Sequence, residues 1–97
     1  MPFVTEYLTE GAQLVLSGSV GVAEASALQA ALIDLAPTPG CVTIDESRLT
    51  SYDVTLLQLV LAFVKARRDR GAAVAVVDGP ATTRLRDLGF GAVLPTA

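Results

Sequence analysis

The chain alternates between stretches of period two and stretches of period 3.6, and each change predicts a new element. Phe3 to Leu8 and Gln13 to Ser17 are short β-favouring runs, and Thr9-Glu10-Gly11-Ala12 between them predicts a hairpin turn. Gly18 and Gly21 loosen the chain before Val22 to Leu35. There Leu28, Leu32 and Leu35 recur at helical spacing, while Ala25 and Ala31 permit close approach to a sheet. Pro37-Thr38-Pro39-Gly40 ends this helix, since neither proline can donate to a preceding carbonyl. Val42-Thr43-Ile44 predicts a third strand, and Asp45 to Tyr52 a polar connection.

A long helix follows from Val54 to Arg70, with Asp53 as its cap and Gly71 placed to stop it in a left-handed conformation. Ala73 to Val77 is continuously apolar and predicts a buried parallel strand. Asp78-Gly79-Pro80 is turn chemistry opening a last helix to about Leu88, which Gly89-Phe90-Gly91 breaks. A short tail to Ala97 is expected to fray. The order strand, strand, helix, strand, helix, strand, helix forces parallel neighbours after an antiparallel hairpin. The fold class is therefore α/β, a small mixed four-stranded sheet packed against helices, in one domain over residues 1–97.

Composition narrows the chemistry. Hydrophobic residues make up 52% of the 97 and charged residues 18%, enough for a core and too apolar for a disordered chain. The formal charge of -3 argues against a nucleic-acid surface, which needs cations to neutralise phosphates. No histidine occurs, so imidazole bases, Ser-His and Cys-His pairs and most transition-metal sites are excluded. With no P-loop and no dinucleotide fingerprint around Gly18-Ser19-Val20-Gly21, the expectation is a non-enzyme without cofactor or metal. Asp45, Glu46 and Asp53 could gather at the carboxyl ends of strands, a weak prospect for a hard cation.

The single cysteine, Cys41, cannot pair internally and reads as a small buried apolar residue in a reducing compartment. The mean hydropathy of +0.54 raises the question of a membrane. The apolar stretch Val54 to Val64 is too short to span one, and the opening Met1-Pro2-Phe3-Val4-Thr5-Glu6 lacks the pattern of a signal peptide. The expectation is a cytoplasmic protein with no direct membrane insertion and an oligomeric state left open. Lys65, Arg67, Arg68 and Arg70 read as a solvated basic helix end complementing the helix dipole.

Helical periodicity places Thr55, Gln58, Ala62, Lys65 and Asp69 on one side of the long helix and Leu56, Val60, Phe63 and Val64 on the other. Thr55 lies in the first turn, beside backbone N–H groups without helical partners, where negative charge is favoured. Leu59 is one turn further on and at least partly exposed, so Tyr52, Leu56 and Leu59 form a candidate docking patch. Periodicity alone favours a threonine that only starts a helix.

Leu16-Ser17-Gly18, Val20, Ala25, Leu28, then Val42-Thr43-Ile44-Asp45, Leu49-Thr50-Ser51-Tyr52-Asp53-Val54-Thr55, Arg70-Gly71, Val74 to Val77 and Leu85 to Phe90 together resemble the STAS domain pattern. That is the fold of the bacterial anti-sigma factor antagonists. The resemblance implies a regulatory domain that binds a protein partner, an anti-sigma factor with kinase activity. It also implies a Ser or Thr acceptor after an aspartate at the start of the second helix, here Thr55 after Asp53. Asp53, Tyr52, Leu56, Leu59 and Gln58 are then the expected partner-binding residues. Val54 replaces the first serine of the usual Asp-Ser-Ser-Gly, Leu56 its glycine, and Gly21 an acid often found before the first helix. Leu56 would crowd a kinase approaching the hydroxyl. The sequence is also similar to the small STAS subunits of phospholipid-transport ABC complexes, whose partner is the transporter ATPase. From another class, a small nucleotide- or ligand-binding domain using the strand-end crevice is the alternative.

Overall fold

A strand pair opens the chain, in a computed structural model that describes residues 3–91 and Leu94. Strand β1 (Phe3–Leu8) turns at Thr9-Glu10 into β2 (Gly11–Val20), antiparallel to it, with Phe3 opposite Leu16 and Leu8 opposite Gly11. A single 3-10 turn (Val22–Glu24) leads into helix α1 (Ala25–Leu35). Strand β3 (Cys41–Tyr52) then runs parallel to β2, and helix α2 (Val54–Asp69) returns the chain to β4 (Val74–Val77), parallel to β3. Helix α3 (Pro80–Leu85) follows, ending in a π-type turn, Arg86–Phe90. The sheet order is β1-β2-β3-β4, mixed as expected. The expected fraying tail falls on residues 92, 93 and 95–97, outside the described residues.

The core is single-sided. Ala12, Leu14 and Leu16 of β2 and Val42 and Ile44 of β3 are buried on one face, and Leu28, Leu32, Leu35, Val60, Phe63 and Val64 of the helices are buried with them. Alternation along a strand sends the intervening residues to the opposite face, where Gln13, Val15, Thr43 and Asp45 are only half-buried. Hence β4 is less enclosed than its unbroken apolar run predicts: Val76 is buried, but Val74, Ala75 and Val77 are half-buried. It pairs with β3 and is last in the sheet order among the described residues.

Strand β3 is the main correction to the sequence reading. Its continuation from Asp45 to Tyr52 is strand, not connection. Val15 pairs with Asp45 but Ser17 with Arg48, and Gly18 pairs with Leu49 but Ser19 with Ser51. Each step inserts one extra residue on β3, a bulge that breaks the period-two pattern by which a strand is recognised. Glu46 and Leu49 therefore both point into the interior, three residues apart.

Helix α2 follows its sequence closely. Gly71, at φ +69, takes the left-handed position that ends it, and the Gly71 N–H donates to the Arg68 carbonyl at 2.9 Å. Arg67, however, is not part of a solvated basic end. It is 1% exposed, and its guanidinium donates to four backbone carbonyls: Ala36 and Thr38 through Nη1, at 2.9 and 2.8 Å, and Gly40 and Ala73 through Nη2, at 2.9 and 2.6 Å. It thus satisfies the exit of α1 and the start of β4 together. Cys41, read as buried, is exposed at the start of β3, near this guanidinium.

Candidate functional site

The β2–α1 turn and the N-terminus of α2 meet at one carboxylate. Asp53 has extended backbone, as an N-cap should, and its Oδ1 accepts from the Thr55 N–H at 2.9 Å. Its Oδ2 accepts from the Val22 N–H, also at 2.9 Å, across thirty-one residues of chain. The Val22 N–H is the largest influence holding this carboxyl below its ordinary range, with the Thr55 and Leu56 amides acting the same way. Gly21 lies directly against it: a Cβ there would come within 2.6 Å of Oδ2. The glycine that replaces an acid in this turn is what lets the turn close on Asp53. The turn is locked from its other end as well, by the Gly21 N–H donating to Glu24 Oε1 at 2.8 Å.

Thr55 sits in the first turn of α2, half-buried, immediately behind this clamp. Around it the apolar surface comes from residues the sequence reading passed over. Val22 is 72% exposed and Val54 is 62% exposed. From Val54 an apolar cleft runs between α2 and the C-terminal turn, lined by Leu57, Gln58, Leu61, Leu85, Leu88 and Phe90. Leu88 and Phe90 reach this cleft because Gly89, at φ +99, reverses the backbone between them.

The expected partner-binding residues divide. Gln58 is exposed on the α2–α3 cleft, one turn from Val54. Leu59 leans the other way, into a groove between α1 and α2 lined by Leu32, Ile33, Ala36 and Phe63. Tyr52 is half-buried against the core. Asp53 has both carboxylate oxygens engaged inside the fold. Leu56 is 1% exposed and packed in the core, so it offers no area to a partner and does not crowd the Thr55 hydroxyl from solvent. Its own position in the buried stripe of α2 decides this, and the sequence reading that placed it on both the core face and the docking patch is corrected. Val22 and Val54 had one readable signal, an apolar residue directly after a turn glycine or a cap, where no helix face has yet been established.

Elsewhere, no group of three or more Cys, Asp or Glu side chains is arranged to hold a metal among the described residues. Asp45, Glu46 and Asp53 do not converge: Glu46 is buried, whereas Asp45 lines a groove on the open sheet face with Arg48. No helix among the described residues is long and apolar enough to cross a membrane.

This architecture and the position of its α2 terminus can be set against known proteins. The family model for the Mlab STAS domain matches residues 5–89. The chain belongs to the STAS domain family. Among solved STAS structures, an anti-sigma factor antagonist from Mycobacterium paratuberculosis superposes with a TM-score of 0.80 at 23% identity, covering 97% of this chain and 82% of that one. The unphosphorylated anti-sigma factor antagonist SpoIIAA gives 0.77 at 18% identity, covering 97% and 84%. The phosphorylated form of SpoIIAA, the Bacillus cell fate determinant, gives 0.78 at 18% identity, covering 98% and 90%. These likenesses establish the fold. A comparison with curated protein sequences finds no match.

Proposed function

We propose that this STAS domain is a non-catalytic regulatory module of the anti-sigma factor antagonist type, docking a protein partner at the N-terminus of α2. The observation that carries this reading is the Thr55 surface: a hydroxyl-bearing first helical turn, set by a fully engaged aspartate and flanked by exposed Val22 and Val54 and the adjoining cleft. Such a surface offers a partner an apolar contact beside a polar, positively biased helix end. Thr55 is the candidate phosphate acceptor. A phosphate there adds charge in the middle of the contact, which the helix end tolerates and a docked apolar partner does not. The anti-sigma factor antagonist neighbours support this reading, as does their description in unphosphorylated and phosphorylated forms. The partner is then a cytoplasmic anti-sigma factor with kinase activity.

One observation favours a second reading. The matching family model is described by the Mlab STAS domain, and the sequence is similar to the STAS subunits of phospholipid-transport complexes, so the same surface would seat the ATPase of a transporter. Affinity capture from native lysate, identification of the captured protein and titration with it distinguish the two. In either case Thr55→Glu and Val54→Asp should weaken binding at least tenfold without unfolding the domain. Wild-type affinity in both variants would place the interface elsewhere. Intact-mass analysis after incubation with a captured kinase tests Thr55 as the acceptor.

A further inference from the structure

The start of α3 rests on a buried carboxyl. Glu46 is 0% exposed on β3, and its Oε1 accepts from the Thr82 N–H of α3 at 2.6 Å. Its Oε2 is buried without a hydrogen-bond partner among the described residues. Thr82, also 0% exposed, holds its hydroxyl beside this carboxyl, and that hydroxyl too lacks an aligned partner. Gly79 presses the start of α3 onto the same residue so closely that a Cβ would come within 2.3 Å of the Glu46 carbonyl oxygen. We infer that Glu46 is a proton-sensitive latch for α3, closed when the carboxyl is neutral and loosened when it ionises.

The chemistry follows from the orphaned oxygen. A protonated Glu46 keeps Oε1 as acceptor for Thr82 N–H and gains an O–H to direct at the Thr82 hydroxyl, which satisfies both groups. An ionised Glu46 holds a charge shut off from water, with the Thr82 amide and hydroxyl as its nearest donors, and the cost of burying that charge outweighs what they return. The charged groups facing it act in opposite directions. Asp78, from the β4–α3 turn, opposes ionisation. Arg86, from the turn after α3, pairs with Asp78 through Nη1 at 2.6 Å, keeps Nη2 buried without a hydrogen-bond partner among the described residues, and is electrostatically favoured by the Glu46 charge. On its own strand Asp45 and Arg48 line the opposite face of the sheet. Strand β2 carries no charged residue, and the charges of α2 lie only in its last turns. Burial accordingly raises the Glu46 carboxyl above its ordinary 4.5, as the largest influence on it.

What the latch holds is the wall made by Leu85, Leu88 and Phe90, which closes the cleft beside Val54 and Gln58. If that cleft is the docking surface proposed above, proton binding at Glu46 tunes its shape. The latch itself is tested without any partner, so the two ideas fail separately.

Carboxyl carbon NMR of protein labelled at glutamate should give a Glu46 midpoint above 4.5, and Thr82→Val should move it higher by removing the hydroxyl that favours the charged form. Amide exchange in α3 should reveal the opening. Between pH 4.5 and the Glu46 midpoint, the opening constant of α3 in wild type should rise up to tenfold per pH unit relative to Glu46→Gln, which mimics the neutral acid, and then level off. A Glu46 midpoint at or below 4.5 overturns the latch, even if the glutamine variant fails to fold. So does identical pH dependence of α3 exchange in wild type and Glu46→Gln.

Discussion

Replacing Arg67 by methionine removes a buried cation while keeping most of the volume of its stem. The four carbonyls that the guanidinium serves belong to Ala36, Thr38, Gly40 and Ala73, spread over the exit of α1, the following loop and the approach to β4. Hydrogen bonds to a charged group are worth about 1.5–3 kcal/mol each, so the gross interaction is on the order of 6–12 kcal/mol. Burying the guanidinium costs several kcal/mol, which the substitution recovers. These carbonyl-bearing residues also line an open polar cleft, so water can reach part of the set the methionine abandons.

The net expected loss is about 3–4 kcal/mol, a large share of the roughly 5–15 kcal/mol that holds a domain of this size. Urea titration followed by circular dichroism would show this as a lower midpoint at unchanged slope. Thermal melting should fall by at least about 12 °C. Arg67→Lys retains the charge but has three donors and no planar fork, so about half the loss is expected. Amide exchange should quicken first around residues 36–40. A methionine variant within about 1 kcal/mol of wild type would refute the account, because Arg67 would then be a bystander whose carbonyl contacts are replaceable by solvent.

Gly79→Ala should destabilise α3 selectively, by about 1–3 kcal/mol, because the added methyl meets the Glu46 backbone; chemical denaturation with amide exchange would show it. Leu56→Ala should cost about 2–5 kcal/mol by opening a core cavity, while Leu59→Ala, only half-buried, should cost clearly less, and matched urea titrations compare them. The Asp53 clamp stabilises the fold above its unfolded value of 3.8, and that contribution disappears as pH falls through the lower folded value. Asp53→Asn should therefore lower the melting temperature at pH 7 and show less difference from wild type at pH 2–3. Thr55→Glu should leave the melting temperature nearly unchanged while weakening the captured partner at least tenfold in titration calorimetry.

Local rules carried much of this molecule. A capping aspartate and a left-handed glycine delimit α2, and 3.6-residue periodicity assigns Val60, Phe63 and Val64 to its buried face, because these depend only on neighbours within two turns. The alternation of strand and helix likewise dictated a mixed sheet with one antiparallel hairpin.

The tertiary structure decided what lies against each face. A lone arginine in a basic run is buried because carbonyls about thirty residues upstream converge on it, and no local pattern records that meeting. Two bulges interrupt β3 past Ile44 and bring Leu49 onto the buried face with Glu46, since register is set by pairing with β2 rather than by the strand's own alternation. Thr55 was legible from its position after a cap, but its surroundings were not. Leu59 and Gln58, adjacent in sequence, face different grooves because helices on either side of α2 divide its surface, and the apolar flank of Thr55 comes from Val22, Val54 and the reversed turn at Gly89.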